Sequence, residues 1–319
     1  MNRFAAALVA PLLLLGASAF AEFPDKPIKI IVPLAAAGTG DTLARAVGEG
    51  MARELGQPVV IENRPGAGGL VGTQFVATSP ADGYTLLAVS PAHVINSTLY
   101  SKAGYDPVKS FEPITLMAYT HQILVAHPSA PFNDLKGLIE YAKKHPGELN
   151  YGSAGTGSAT HLNMELFKSM AGVNIVHVPY KGSTQARQDV VGGQVQLAMD
   201  GLLPVLNLIK QGRLKPMALT SGHRSAVAPD IPTMNEAGVP GYISDTWYGL
   251  LAPAGTPKDV LAKLEKAATD ALKDAAVRDR LTKAGAEPAS TSAAEFGKVI
   301  AREQPIWAKV IRESGAKVD

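Results

Sequence analysis

Two doubly wound α/β domains joined by crossover strands are the fold this sequence predicts, and three observations predict it. Short β-rich runs alternate with helical patterns over residues 26–90, and the same alternation resumes after residue 133. Two apolar stretches, 114–126 and 246–252, stand where the chain would cross between the halves. A length of 319 residues suffices for two domains, and 46% apolar with 18% charged residues is ordinary globular composition, which argues against disorder and coiled coil.

The amino terminus is a separate object. Arg3 is followed by an apolar run over 5–15 and by Ala19-Phe20-Ala21, a small-x-small cleavage site, so residues 1–21 read as a secretory signal peptide with the mature chain starting at Glu22. That run is shorter than the roughly 20 apolar residues a membrane span needs. The sequence has 0 Cys, which excludes disulfides and thiolate metal sites and removes the residue a lipoprotein needs after its signal. An exported, unlipidated periplasmic protein is the expectation. The formal net charge of +2 becomes +1 once Arg3 is lost, so the composition calls for no nucleic-acid partner.

In chain order, a strand over 28–34 precedes a helix over 41–55 in which Leu43, Val47, Met51 and Leu55 form one apolar stripe. Strand 58–61, helix 69–78 and strand 84–89 complete a βαβαβ unit, hence a parallel sheet. Residues 114–126 are too long for one ordinary strand and read as the first crossover. A helix over 134–144 capped by Asn133, strand 149–152, a helix after Ser158, strand 175–178, helix 183–191, strand 195–199, a helix near 205–211 and strand 216–220 build the second unit. Strand 246–252 returns the chain, which closes with helices over 258–273, 276–284 and 293–314 that pack back on the first unit and brace the hinge. The domains are expected to be 22–120 plus 245–319, and 121–244.

The stretch around which these elements are arranged is Glu62-Asn-Arg-Pro-Gly-Ala-Gly-Gly-Leu-Val-Gly72, which joins strand to helix through a turn built from glycines. Its helix-start N–H groups at Gly68, Gly69 and Leu70 are suited to an anion, and the loop from Pro33 to Asp41 repeats the arrangement at a neighbouring strand. Both would face one crevice outside the strand ends and jointly clamp a carboxylate. Neither loop has the glycine spacing of a dinucleotide fingerprint, and neither is followed by a Walker lysine, so no nucleotide is expected. Tyr151-Gly-Ser-Ala-Gly-Thr-Gly-Ser-Ala-Thr-His161 has Tyr where a nucleophile elbow needs Gly. Its hydroxyls suit anion binding or plain helix capping better than attack, although a hydrolase using Ser153 or Ser158 with His161 stays open as an alternative. The seven His lie at 93, 121, 127, 145, 161, 177 and 223 with no i,i+4 pair, so their spacing predicts no metal site. Asp200 ends a strand, poised for a ligand amine or a backbone cap.

Ile31-Val-Pro33 with the loop to Asp41, the Glu62 to Gly69 turn, Asp82-Gly-Tyr-Thr-Leu86, His177-Val-Pro-Tyr-Lys-Gly182, Gly192-Gly-Gln194, Pro232-Thr233, Glu236-Ala-Gly238 and Ala252-Pro-Ala-Gly-Thr-Pro257 recur in an order that resembles the Bug family. These are the periplasmic solute-binding proteins of tripartite tricarboxylate transporters, and the resemblance runs from Phe23 to the end. It implies a two-lobed, Venus-flytrap binding protein without catalysis, cofactor or metal, a monomer that takes a small organic carboxylate and serves membrane permease subunits; service to a sensing pathway has the same fold and site. Carried over, the carboxylate would lie on Ala35, Ala36, Ala37, Gly38, Thr39, Gly68, Gly69, Ser90 and Ala92, and the closing side would be Ser153, Thr156, Ser158 and Asp200. Members commonly carry Gly-Gly where this chain has Ala37-Gly38.

Overall fold

The computed structural model describes residues 23–316. The signal-peptide reading of 1–21 and the expected start at Glu22 lie outside them. The first unit runs β1 (Ile28–Val32), α1 (Thr39–Leu55), β2 (Val59–Asn63), α2 (Leu70–Ala77), β3 (Thr85–Val89), α3 (Ala92–Leu99) and β4 (Phe111–Thr120). The second runs β5 (Gln122–Ala126), α4 (Leu135–Lys144), β6 (Asn150–Ser153), α5 (Ala159–Ala171), β7 (Val176–Pro179), α6 (Ser183–Val191), β8 (Leu197–Gly201), α7 (Leu202–Lys210) and β9 (Lys215–Leu219). The chain returns through β10 (Thr246–Pro253) and closes with α8 (Lys258–Ala271), α9 (Ala275–Lys283), β11 (Glu287–Pro288) and α10 (Ala293–Ser314).

Two sheets result, in the orders β11-β4-β10-β3-β1-β2 and β7-β6-β8-β5-β9. β1 is parallel to β2 and β3, while β10 is antiparallel to β3 and β4. In the second sheet β6 is parallel to β7 and β8, and β5 is antiparallel to β8 and β9. The long apolar stretch therefore divides at His121: β4 belongs to one sheet and β5 to the other, which makes the molecule two-lobed. Each parallel run ends its strands on one edge, and that is where the candidate site must be sought.

The helices bury the stripes their spacing announces. Leu43, Val47 and Met51 are each 0% exposed and share a core with Val260, Leu264 and Ala268 of α8. Fully burying side chains of this size contributes about 1.5–3 kcal/mol apiece. A second core joins both lobes, since Trp307 and Val310 of α10 cluster with Val94 of α3, Phe167 of α5 and Trp247 of β10.

Two local expectations are corrected. The cap of α4 is Asp134, not Asn133: Asp134 holds the extended backbone before the helix, and its Oδ1 accepts from Gly137 N–H at 2.7 Å. Helix α3 has no counterpart in the sequence reading, because His93, Asn96, Ser97 and Thr98 break the apolar period; its register is fixed by packing on α10.

Candidate functional site

The loop after β1 is shaped by Asp41, in the first turn of α1. Ala37 N–H and Arg45 Nε donate to its Oδ2 at 2.9 and 3.0 Å, and Asn63 Nδ2 donates to its Oδ1 at 2.9 Å. Asn63 Nδ2 also reaches the Leu34 carbonyl, at 3.2 Å. Burial would raise the Asp41 pKa, but hydrogen bonds from Arg45, Ala37 N–H and Asn63 outweigh it and hold the carboxyl below its usual range. Ala37 sits at φ 64°, a left-handed backbone that glycine adopts without strain and that costs an alanine more. Ala35, Ala36, Ala37 and Gly38 stay exposed, and Thr39 opens α1.

The second loop turns on itself. Gly66, Ala67, Gly68 and Gly69 all have positive φ, and the Gly69 N–H donates to the Gly66 carbonyl at 2.9 Å while the Leu70 N–H donates to Ala67 O. Two of the N–H groups expected to meet an anion are therefore spent inside the turn. Gly68, Gly69, Ser90 and Ala92 do come together, around a crevice of about 10 Å³ shared with Pro33 and Asn96. That volume suits one water, not a carboxylate.

A far larger cleft, about 750 Å³, opens between the lobes where the crossing strands pass. Thr120, His121, Gln122, Thr246 and Tyr248 line its floor from those strands; Thr39 faces it from the first lobe, and Thr160, Ser183, Gly201 and Leu202 from the second. Leu203, Pro204, Ala226 and Val227 form an apolar wall. Thr39, Ser183 and Leu202 are the first residues of α1, α6 and α7, and none of these three helices has a side-chain cap, their N-cap positions being Gly38, Gly182 and Gly201. Three helix N-termini thus open at one cleft, each carrying about half a positive charge, although in α7 the Leu202 N–H is bound by the His121 carbonyl at 2.9 Å and Pro204 has none. Among the described residues no Lys or Arg lines it. Such a space attracts an anion through backbone dipoles and accepts a carbon skeleton against its apolar wall.

Of the closing-side residues, Thr156 is exposed and the others are engaged within the protein. Ser153 is 0% exposed, with Oγ 2.7 Å from His177 Nε2. Ser158 caps α5, accepting from His161 N–H at 3.2 Å and donating to Gly155 O at 2.6 Å. Asp200 is 3% exposed and bound by Arg187 Nε and Nη2 at 2.7 and 3.1 Å, so its partner is a guanidinium within the lobe. Thr160, two residues past the capping serine, lines the cleft, with its Oγ1 accepting from Ala154 N–H at 2.9 Å and lying 3.0 Å from Ser158 Oγ. It was legible as a hydroxyl at a strand–turn–helix junction; Ala284, Gly285 and Ala286, on the cleft rim, carry no signal in the sequence.

The model for the tripartite tricarboxylate transporter family receptor matches residues 43–316. The chain belongs to this receptor family. It is 36% identical over 298 residues to BugT of Bordetella pertussis, covering 93% of this chain and 91% of that protein. The fold is that of an R. palustris protein, Rpa4515, solved with adipate, at 35% identity and TM-score 0.75, covering 93% of this chain and 100% of that one. MatC of Rhodopseudomonas palustris with bound malate matches at 34% identity and TM-score 0.72, covering 91% and 100%. As a receptor of this family the chain is a binding protein, not an enzyme. Geometry agrees: the partner of the fully buried Ser153 is His177 rather than His161, and His161 meets Ser158 through its backbone N–H while its Nδ1 accepts from Gly157 N–H.

Proposed function

We propose that this receptor captures a small organic carboxylate in the interlobe cleft and delivers it to the membrane permease subunits of a tripartite tricarboxylate transporter. It does so as a periplasmic monomer freed from residues 1–21. One observation carries the reading: the N-termini of α1 and α6, from opposite lobes and without side-chain caps, converge on one cleft, beside the start of α7, whose Leu202 N–H is held by the His121 carbonyl. Charge-assisted hydrogen bonds of roughly 1.5–3 kcal/mol each, before ordering costs, are enough for a few of them to support micromolar binding, about −8 kcal/mol. The adipate and malate held by two relatives are of the same class. The lobes are 22–120 plus 245–319, and 121–244, in keeping with the ends of β4 and β9 and the start of β10.

In this reading Thr39 and the exposed loop of Ala35, Ala36, Ala37 and Gly38 meet the ligand from the first lobe. The second lobe meets it with Thr160, Ser183 and the start of α7, and with Thr156 on closure. Gly68, Gly69, Ser90 and Ala92 hold an ordered water behind it, and Ser153, Ser158 and Asp200 keep the closing face in shape.

A thermal-shift screen tests this. A ligand that binds only the native state stabilises it by about 2.7 kcal/mol at one hundred times its Kd. Organic acids should raise the midpoint; a response to sugars or nucleotides with none to any carboxylate would refute the proposal.

A further inference from the structure

His121, His223 and Glu287 are remote in sequence but meet beside the crossing strands. His121 is the residue between β4 and β5 and is 7% exposed. His223 follows β9 of the second sheet, and Glu287 opens β11, which pairs with β4 of the first. One ligand atom from each of the three lies within 4.8 Å of the others. His121 Nε2 is 2.8 Å and His223 Nε2 3.5 Å from the same Glu287 Oε2.

Ser221 fixes the protonation pattern. Its hydroxyl donates to the His223 carbonyl at 2.7 Å, so towards His121 Nδ1, 3.0 Å away, its oxygen can only accept. The proton on Nδ1 is thereby assigned. With the ring neutral, Nε2 presents a lone pair to a carboxylate oxygen at 2.8 Å, a contact that either a second ring proton or a bound cation completes. This is the arrangement of a metal-binding histidine, whose other ring nitrogen donates to a fixed acceptor.

We propose that His121, His223 and Glu287 bind one divalent ion of the Zn²⁺ class, with Ser221 as the positioning residue. Two imidazoles and one carboxylate suit Zn²⁺, Ni²⁺ or Cu²⁺ over Mg²⁺ and Ca²⁺, and three protein ligands leave a coordination position open. Because His121 and Glu287 also line the interlobe cleft, the ion ties the segment after β9 to β11 at the wall of that cleft. Its ligands come from β11 of the first sheet, from the segment after β9 and from the residue between the sheets, so it constrains how the lobes sit.

The test uses tag-free protein cleared of metal by chelator and dialysis. Calorimetry with ZnCl₂ should give one site per chain, CoCl₂ should give visible ligand-field bands, and MgCl₂ should give neither. His223 is half-exposed, so His223→Ala leaves the core intact; it should abolish the Co²⁺ bands and weaken Zn²⁺ by at least about 100-fold, with Ser221→Ala weakening it about 10–100-fold. Absence of a Zn²⁺ site in the unaltered protein would overturn the proposal. So would Zn²⁺ binding that is unchanged in both His223→Ala and Glu287→Gln, which would move the ion to another surface group such as His145 with Glu148.

Discussion

Asn63 donates to Asp41 Oδ1 across 2.9 Å, and so ties the end of β2 to the first turn of α1. The bond sets the loop between β1 and α1, because Ala37 hangs from the same carboxylate. Asn63→Leu removes this donor and the acceptor of Arg45 Nη2, and leaves Asp41 Oδ1 with Arg45 alone in a site only 4% exposed. Stability should drop by about 1–3 kcal/mol in urea unfolding, and carboxylate affinity should drop with it. Unchanged values of both would show that the network does not shape the loop. Since the Asp41 pKa is lowered in the fold, its contribution is present above the unfolded value of 3.8 and is lost as pH falls through the folded one.

Glu303 titrates in the opposite sense. It accepts the indole N–H groups of Trp247 and Trp307 at 2.9 and 3.2 Å, and burial, only partly offset by those bonds, pushes its pKa up to about 7. Between its ordinary 4.5 and that value the folded chain holds a proton the unfolded chain has released. Stability should therefore fall as pH rises across this window, by on the order of 3 kcal/mol, and level off above it. Urea titrations at a series of pH values check the slope, which Glu303→Gln should flatten; an identical slope in the variant would place the titrating group elsewhere.

Gly69→Val should destabilise the fold whether or not ligand is present. At φ 101° a β-branched residue is strained by about 1–3 kcal/mol. Thermal unfolding of the apo protein checks this, and an unchanged midpoint would mean that the turn can rearrange. Lost binding in that variant would not by itself place the carboxylate on this loop.

Much of the fold was legible. Strand–helix alternation disclosed both sheets, and the stretch 114–126, too long for one ordinary strand, disclosed the crossing, which the structure divides at His121. The site was legible in part. The rule that ligands gather beyond strand ends led to the edge where the cleft opens and the capping pattern led to Ser158, but Ser153 and Asp200 bind partners that no local pattern discloses, since His177 lies 24 residues from Ser153 and Arg187 13 from Asp200. The glycine turn after β2 was read as open because composition reveals freedom of φ, not where its N–H groups turn. The His121, His223 and Glu287 cluster has no spacing signature at all, since 100 or more residues separate His121 from both partners.

Leu203→Trp is a gentler way to occupy the cleft, because Leu203 is 40% exposed and belongs to the apolar wall rather than to a core. Stability should stay within about 0.5 kcal/mol, as for a surface substitution, while carboxylate affinity falls at least tenfold. Calorimetry alongside urea unfolding separates the two, and full affinity in the folded variant would move the ligand out of this cleft.

The central claim is that helix N-termini hold a carboxylate in the interlobe cleft, and the most direct measurement is calorimetric titration with an acid found by screening and with its carboxamide, matched in shape but uncharged. The acid should bind in the micromolar range at one site per chain, with the amide weaker by at least tenfold, about 1.4 kcal/mol. Equal affinity for acid and amide would contradict it.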